Sequence, residues 1–164
     1  MKKIALAVAA AAIAVPAVAA PGDTDTAQGT ATATIVAPVE LIHTDGAALH
    51  FGTITAGNGG TVTVALDGSV TDNGDDAVML AGSLPTTDEF ELRGDAGRAV
   101  TVTTGGGSLT GPGTAMTFTT TNNAPAVIAA TGSSFFDVGG TLTVGDTQTA
   151  GDYTGSYTAT ATYN

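Results

Sequence analysis

The chain has 164 residues, with 15 acidic side chains against 4 basic ones, no cysteine and a formal net charge of -11. This charge argues against nucleic acid as a partner, because binding a phosphate backbone requires clustered Lys and Arg. The 31 threonines and 23 glycines favour strands and turns over helices, and the length suits a single domain.

Residues 1–19 have the features of a secretory signal peptide. Two lysines follow Met1, an apolar run extends from Ile4 to Val15, and Ala17-Val18-Ala19 offers small residues for cleavage. The apolar run is shorter than the roughly 20 residues that span a bilayer, and no later stretch is apolar enough to do so. We therefore predict cleavage after Ala19, with passage through the periplasm to the cell surface or beyond. No transmembrane segment is expected in the mature chain.

A short polar leader is predicted over residues 20–29, followed by one domain over residues 30–164. Apolar and polar residues alternate from Thr30 to Val36, and again after Pro38. The further candidate strands are residues 49–55, 61–66, 77–80, 90–92, 99–104, 115–121, 126–130, 135–138, 141–144 and 153–163.

Glycine-rich and asparagine-rich turns separate these strands. Examples are Gly57-Asn58-Gly59-Gly60, Gly105-Gly106-Gly107 and Gly139-Gly140. Short strands divided by turns every eight to twelve residues or so are typical of a sandwich. The prediction is an all-β, antiparallel β-sandwich with little helix.

The last predicted strand, residues 153–163, has the clearest pattern. Threonine or serine occupies one face, and the other face carries Tyr153, Tyr157, Ala159, Ala161 and Tyr163. The period of two continues to the end of the sequence, which indicates that this segment is held in a sheet. An ordinary closing strand of a sandwich would explain the same pattern.

This terminal pattern resembles that of subunits assembled by the chaperone-usher route in Gram-negative bacteria. Those subunits end in an alternating strand, with a tyrosine next to last and a glycine fourteen residues from the end, and here Tyr163 and Gly151 occupy these positions. The resemblance implies an immunoglobulin-like, pilin-like sandwich whose partners are related subunits, a periplasmic chaperone and an outer-membrane usher. Many such subunits contain a disulfide, which this chain lacks.

A second resemblance covers roughly residues 30–164. The segments Phe136–Val144, Gly151–Gly155, Phe51-Gly52 and Gly59–Val62 are similar to a family of secreted proteobacterial domains of unknown function that are regarded as pilin-like. This resemblance implies the same exported sandwich, and it provides no catalytic residues.

Assembly by strand donation would require an extended, alternating segment that a neighbouring subunit can accept. Residues 27–36 are the candidate, with Ala31, Ala33 and Ile35 on one face. Their small side chains would suit a shallow groove. The alternative is that residues 30–36 form the first strand of a complete sandwich.

No catalytic, cofactor or metal site is predicted. His43 and His50 flank the turn at Asp45, and no Gly-x-Ser-x-Gly pattern provides a nucleophile, so a hydrolase triad is not expected. The acidic segment 72–76 could bind calcium, but Asp and Asn are common in β-turns. Asp88, Glu89 and Glu91 are interpreted as a solvated strand edge.

Two functional hypotheses remain. The first is an exported structural subunit of a surface fibre or fimbria, which assembles with copies of itself by strand donation or edge pairing. The alternative is a monomeric secreted adhesin or matrix-binding module with a complete sandwich. Neither hypothesis includes enzymatic activity.

Overall fold

The computed structural model describes residue 22, residues 24–73 and residues 77–164, and all of its regular structure is β. The predicted signal peptide lies outside the described residues. None of the described residues forms a helix long and apolar enough to cross a membrane. The strands are β1 (Glu40–His43), β2 (Ile54–Thr55), β3 (Gly60–Val64), β4 (Val70–Asp72), β5 (Val78–Met79), β6 (Asp88–Arg93), β7 (Val100–Thr104), β8 (Gly107–Leu109), β9 (Met116–Asn122), β10 (Ser133–Val144) and β11 (Ala159–Tyr163).

All strand pairs are antiparallel, and most of the strands belong to one sheet. This seven-stranded sheet has the order β1-β6-β10-β3-β4, with β9 also paired to β10 and β8 to β9. Two smaller sheets, β11-β7 and β2-β5, complete the described strands. The predicted all-β, antiparallel class is confirmed.

The buried side chains connect the large sheet to the smaller β11-β7 sheet, as in a sandwich. One buried cluster joins Leu92, Phe136 and Val138 of the large sheet to Val100 of β7 and to Ile128. A second buried cluster lies around Val62, Val64, Phe118 and Leu142. Tyr157 packs against both clusters, so the chain just before β11 lies where the two halves of the core meet.

The turn predicted at Gly139-Gly140 is wrong. Both glycines lie inside β10, where Gly139 is paired with Thr121 and Gly140 with Val64. A Cβ at Gly139 would collide with the carbonyl oxygen of Val64, and one at Gly140 would lie 2.5 Å from that of Thr119. These glycines therefore permit close approach of neighbouring backbones, which is the other role of glycine within a strand.

Two further strand predictions are also wrong. Residues 30–36 form no strand. Residues 126–130, which follow Pro125, make one isolated bridge between Val127 and Ala99. The predicted strand 49–55 is reduced to a bridge at His50 and the short β2.

The predicted strand 153–163 is broken by a local change of register. Thr154 bridges Thr110, and Ala159 is paired with Thr104, so the four residues 155–158 lie opposite the five residues 105–109. Only residues 159–163 form β11. An unequal number of residues on the two strands defines a bulge, which interrupts the ladder although the alternating sequence continues.

Candidate functional site

The outer edge of β11 has no strand partner among the described residues. Asn164 donates its backbone N–H to the carbonyl of Ala99 (3.2 Å), and Gly105 donates to the carbonyl of Thr158 (2.9 Å). The even-numbered residues of this segment therefore bond to β7. Because backbone groups alternate between the two edges of a strand, the N–H and C=O groups of Ala159, Ala161 and Tyr163 point away from β7.

A second open edge belongs to β1, which pairs only with β6 within the described part of the chain. Thr44 donates its N–H to the carbonyl of Glu89 (3.0 Å), so the same alternation directs the backbone groups of Leu41 and His43 outward. The structure thus has an open strand edge on each layer, β1 on one and β11 on the other.

Tyr163 fixes the end of β11 by hydrogen bonds to two other segments of the chain. Its hydroxyl donates to the carbonyl of Ala37 (3.0 Å) and accepts the N–H of Asp95 (2.7 Å). The guanidinium of Arg98 lies 5.6 Å from the centroid of its ring. The tyrosine thereby links β11 to the chain that enters β1.

The other residues of the predicted closing strand lie along the same path. Tyr153, Tyr157, Ala159 and Ala161 are half-buried, and the threonines and serine between them are exposed. The hydroxyl of Tyr153 donates to the carbonyl of Thr149 (2.8 Å). Gly151 has a φ of 144° and packs against Pro112.

An open groove of about 390 Å³ adjoins the residues that precede β11. Small residues of two loops form much of its rim, and its interior is mainly apolar and aromatic. The residues that line it are His43, Ala47, Ala48, Leu49, Phe51, Asp88, Phe90, Leu109, Phe118, Gly155, Ser156 and Tyr157. The ring of Tyr157 meets those of Phe90 and Phe118 edge-on, with both centroid distances 6.2 Å.

A buried carboxylate, Asp88, lies in this groove with its hydrogen bonds satisfied. Only 5% of the residue is exposed. One oxygen, Oδ1, lies 2.7 Å from Nε2 of His43 and accepts the N–H of Glu89 (2.9 Å). The other, Oδ2, accepts the hydroxyl of Tyr157 (2.7 Å). A buried charge requires such partners, which here come from β1, β6 and the segment before β11.

The interpretation of Asp88, Glu89 and Glu91 as a solvated strand edge is therefore wrong, because β6 pairs with β1 on one side and with β10 on the other. Asp88 begins β6, and its side chain faces inward. Glu91, two positions from Glu89 on the outward face, instead forms a bidentate pair with Arg93 (2.8 Å for both contacts). Alternation along the predicted strand could have separated Asp88 from Glu89 and Glu91, but it could not have identified His43 and Tyr157 as partners 45 and 69 residues away.

Burial raises the pKa of the Tyr157 phenol, and the hydrogen bond to Asp88 and its negative charge raise that pKa further. An unfolded tyrosine titrates near pH 10. The raised pKa means that the folded state keeps the proton when the unfolded state loses it, so stability is lost as the pH rises above about 10.

We expect Tyr157→Phe to reduce this alkaline loss of stability. Urea unfolding at pH 8 and at a pH near 11 measures the loss as the difference between the two free energies of unfolding. Tyr153→Phe is the control, because it removes one phenol and keeps Tyr157 beside Asp88. If Tyr157→Phe lost as much stability between the two pH values as the unsubstituted chain, Tyr157 would not be the cause of the alkaline loss.

The predicted donor residues Ala31, Ala33 and Ile35 lie in no strand. Every residue from Thr24 to Ile35 is exposed, and the Ile35 side chain is 95% exposed. Residues 30–36 are therefore not the first strand of a sandwich in this structure. No large apolar side chain precedes Ile35 in this stretch.

The structure does not bring the histidines and Asp45 together. His43 lies beside Asp88, and Nδ1 of His50 accepts the N–H of Gly52 (2.9 Å). Within residues 24–73 and 77–164, no group of three His, Asp or Glu side chains is arranged to hold a metal ion. Residues 74–76 of the acidic segment lie outside the described residues.

Residues 41–163 match the family described as Domain of unknown function (DUF4402), and the chain belongs to that family. The match begins within β1 and ends with β11, so it includes both open edges and the groove. No curated protein and no solved structure matches the chain.

Proposed function

We propose that this member of the DUF4402 family is an exported structural subunit of a surface fibre or fimbria. Copies of the chain assemble when a strand from one subunit pairs with the open edge of another. The partners are then copies of the chain itself or related pilin-like subunits. A periplasmic chaperone and an outer-membrane usher are proposed to handle the open edge before assembly.

The open edge of β11 is the observation that supports this proposal most directly. An unpaired row of N–H and C=O groups is a template for another strand, and soluble proteins usually protect such edges with prolines, charges or bulges. The edge groups of β11 belong to Ala159, Ala161 and Tyr163, none of which is charged or a proline. A partner strand would satisfy these groups, as in strand addition between other proteins.

The exposed stretch from Thr24 to Ile35 provides a candidate strand. It alternates in sequence and lies in no strand, as a donor must before it is accepted. The 13 residues from Ala27 to Val39 also include no charged side chain, although the whole chain has a net charge of -11. An uncharged segment can contact a second acidic copy with less repulsion than the rest of the surface.

A monomeric exported adhesin or matrix-binding module is the second candidate. Ile42, Glu91 and Phe135 are neighbours in the register of β1, β6 and β10, and Phe135 is 61% exposed. An exposed aromatic side chain on a sheet face could contact another surface. This candidate does not require the open edge of β11 to be filled.

Deletion of residues 24–35 distinguishes the two candidates. We expect the full chain to form multi-subunit assemblies and the deletion variant to remain a folded monomer, because it retains β1 to β11 but lacks the donor. Sedimentation velocity measures assembly, and circular dichroism with thermal unfolding measures the fold. The control replaces Thr30, Thr32 and Thr34 with serine, which changes only the opposite face of the segment.

Three outcomes would contradict the subunit proposal. The full chain could remain monomeric, which would favour the binding module. The deletion variant could assemble as well as the full chain, or it could unfold, which would place the deleted residues in the core.

A further inference from the structure

We infer that the groove beside Tyr157 receives the Ile35 side chain of a second copy of this chain. The inference rests on the proposed function and adds to it the anchoring residue and the place that it occupies. Its supporting observations are the exposure of Ile35, the composition of the groove, and the position of the groove next to the open edge of β11.

Ile35 is the side chain in the exposed segment with the most to gain from burial. It is 95% exposed, and the same-face residues Ala33 and Ala31 carry only one methyl group each. Full burial of an isoleucine strengthens binding by roughly tenfold to a hundredfold. The specificity of the contact should therefore depend mainly on this one residue.

The groove offers an apolar interior behind a rim of small residues. Its interior includes Phe51, Leu109 and Phe118, and its volume is about 390 Å³. Gly155 and Ser156 line the groove on the β11 side, and both are small and exposed. Such a site suits one aliphatic side chain presented by an extended backbone.

The polar groups of the groove are compatible with an uncharged occupant. Both oxygens of Asp88 already accept hydrogen bonds, from His43, from Tyr157 and from the backbone of Glu89. An incoming isoleucine therefore leaves no buried carboxylate without a partner. A charged side chain would find no free counter-charge among the residues that line the groove.

The groove is continuous with the open edge. Tyr157 lines it, and the outward backbone groups of Ala159 and Ala161 follow along the same strand. An antiparallel strand with Ile35 at Tyr157 would place Ala33 and Ala31 beside Ala159 and Ala161. The donor would thus have its large side chain at the groove and its small ones along β11, where β1 approaches.

The cysteine-free sequence allows a direct test by disulfide trapping. Two full-length single variants, Ile35→Cys and Ala47→Cys, are purified, mixed, allowed to assemble and mildly oxidised. Ala47 is a half-buried residue of the groove lining. We expect a disulfide-linked heterodimer as the main cross-linked product. Thr34→Cys mixed with Ala47→Cys is the donor control, and Ile35→Cys mixed with Thr143→Cys, on the exposed face of β10, is the acceptor control.

Each outcome decides the inference. A heterodimer at least tenfold more abundant than in both controls supports it. Assemblies without this heterodimer overturn it and leave the subunit proposal intact, whereas failure of the unsubstituted chain to assemble under the same conditions contradicts both. A double variant that forms its disulfide within one chain would show that Ile35 fills its own groove, which also overturns the inference.

Discussion

Replacing Gly139 with valine is expected to destabilise the domain by about 3 kcal/mol or more, although valine is a strong strand former. Gly139 lies inside β10, and its new Cβ would collide with the carbonyl oxygen of Val64 in the neighbouring β3. The obstacle is backbone within a sheet, which cannot move aside like the end of a flexible side chain. Urea unfolding measures the change in the free energy of unfolding.

Thr143→Val is the matched control for Gly139→Val. Thr143 lies in the same strand and is exposed, so we expect a change of about 0.5 kcal/mol or less. If Gly139→Val lowered the free energy of unfolding as little as this control does, the close approach of β3 and β10 at Gly139 would be contradicted.

Replacing Asp88 with alanine is expected to cost about 3 kcal/mol of folding stability. The substitution would leave the hydroxyl of Tyr157, Nε2 of His43 and the N–H of Glu89 without their acceptor. Asp88→Asn should cost less, because its side-chain carbonyl still accepts a hydrogen bond. Both values come from urea unfolding at neutral pH.

Glu89→Ala is the control for Asp88→Ala. It removes the neighbouring carboxylate, whose side chain points to the opposite face of β6, and should change stability by about 0.5 kcal/mol or less. Equal costs for the two variants would show that the contacts of Asp88 do not stabilise the fold.

Alternation and turn residues were sufficient to predict the fold class and several strands. Residues 115–121 and 99–104, for example, closely match β9 and β7. Both segments combine Thr with apolar residues at a period of two and lie between clear turn signals. Patterns of this kind depend only on residues that are near in sequence.

Glycine was the main source of error, because the same residue permits two different structures. Gly139-Gly140 suggested a turn, whereas the structure uses these glycines for close contacts with Val64 and Thr119. Those contacts join residues 75 and 21 positions apart in sequence, which a local pattern cannot reveal. The bulge at residues 105–109, opposite residues 155–158, has a similar origin, since it depends on how two distant segments pair.

The candidate site was predictable only in part. The alternation from Tyr153 to Tyr163 identified the segment that carries the open edge, and the alternation of residues 30–36 identified the exposed donor candidate. The groove and the three-residue cluster of His43, Asp88 and Tyr157 depend on how three distant segments meet. No spacing of residues in the sequence indicates that these three segments are neighbours in the fold.

Residue-resolved amide hydrogen exchange on β11, compared between monomer and assembly, tests strand addition most directly. The subunit proposal predicts that the amides of Ala159, Ala161 and Tyr163 exchange rapidly in the monomer and become protected in the assembly. The amides of Thr160 and Thr162, which face β7, should be protected in both. Rapid exchange of the three outward amides in an assembled sample would contradict pairing at this edge, and so would their full protection in the monomer.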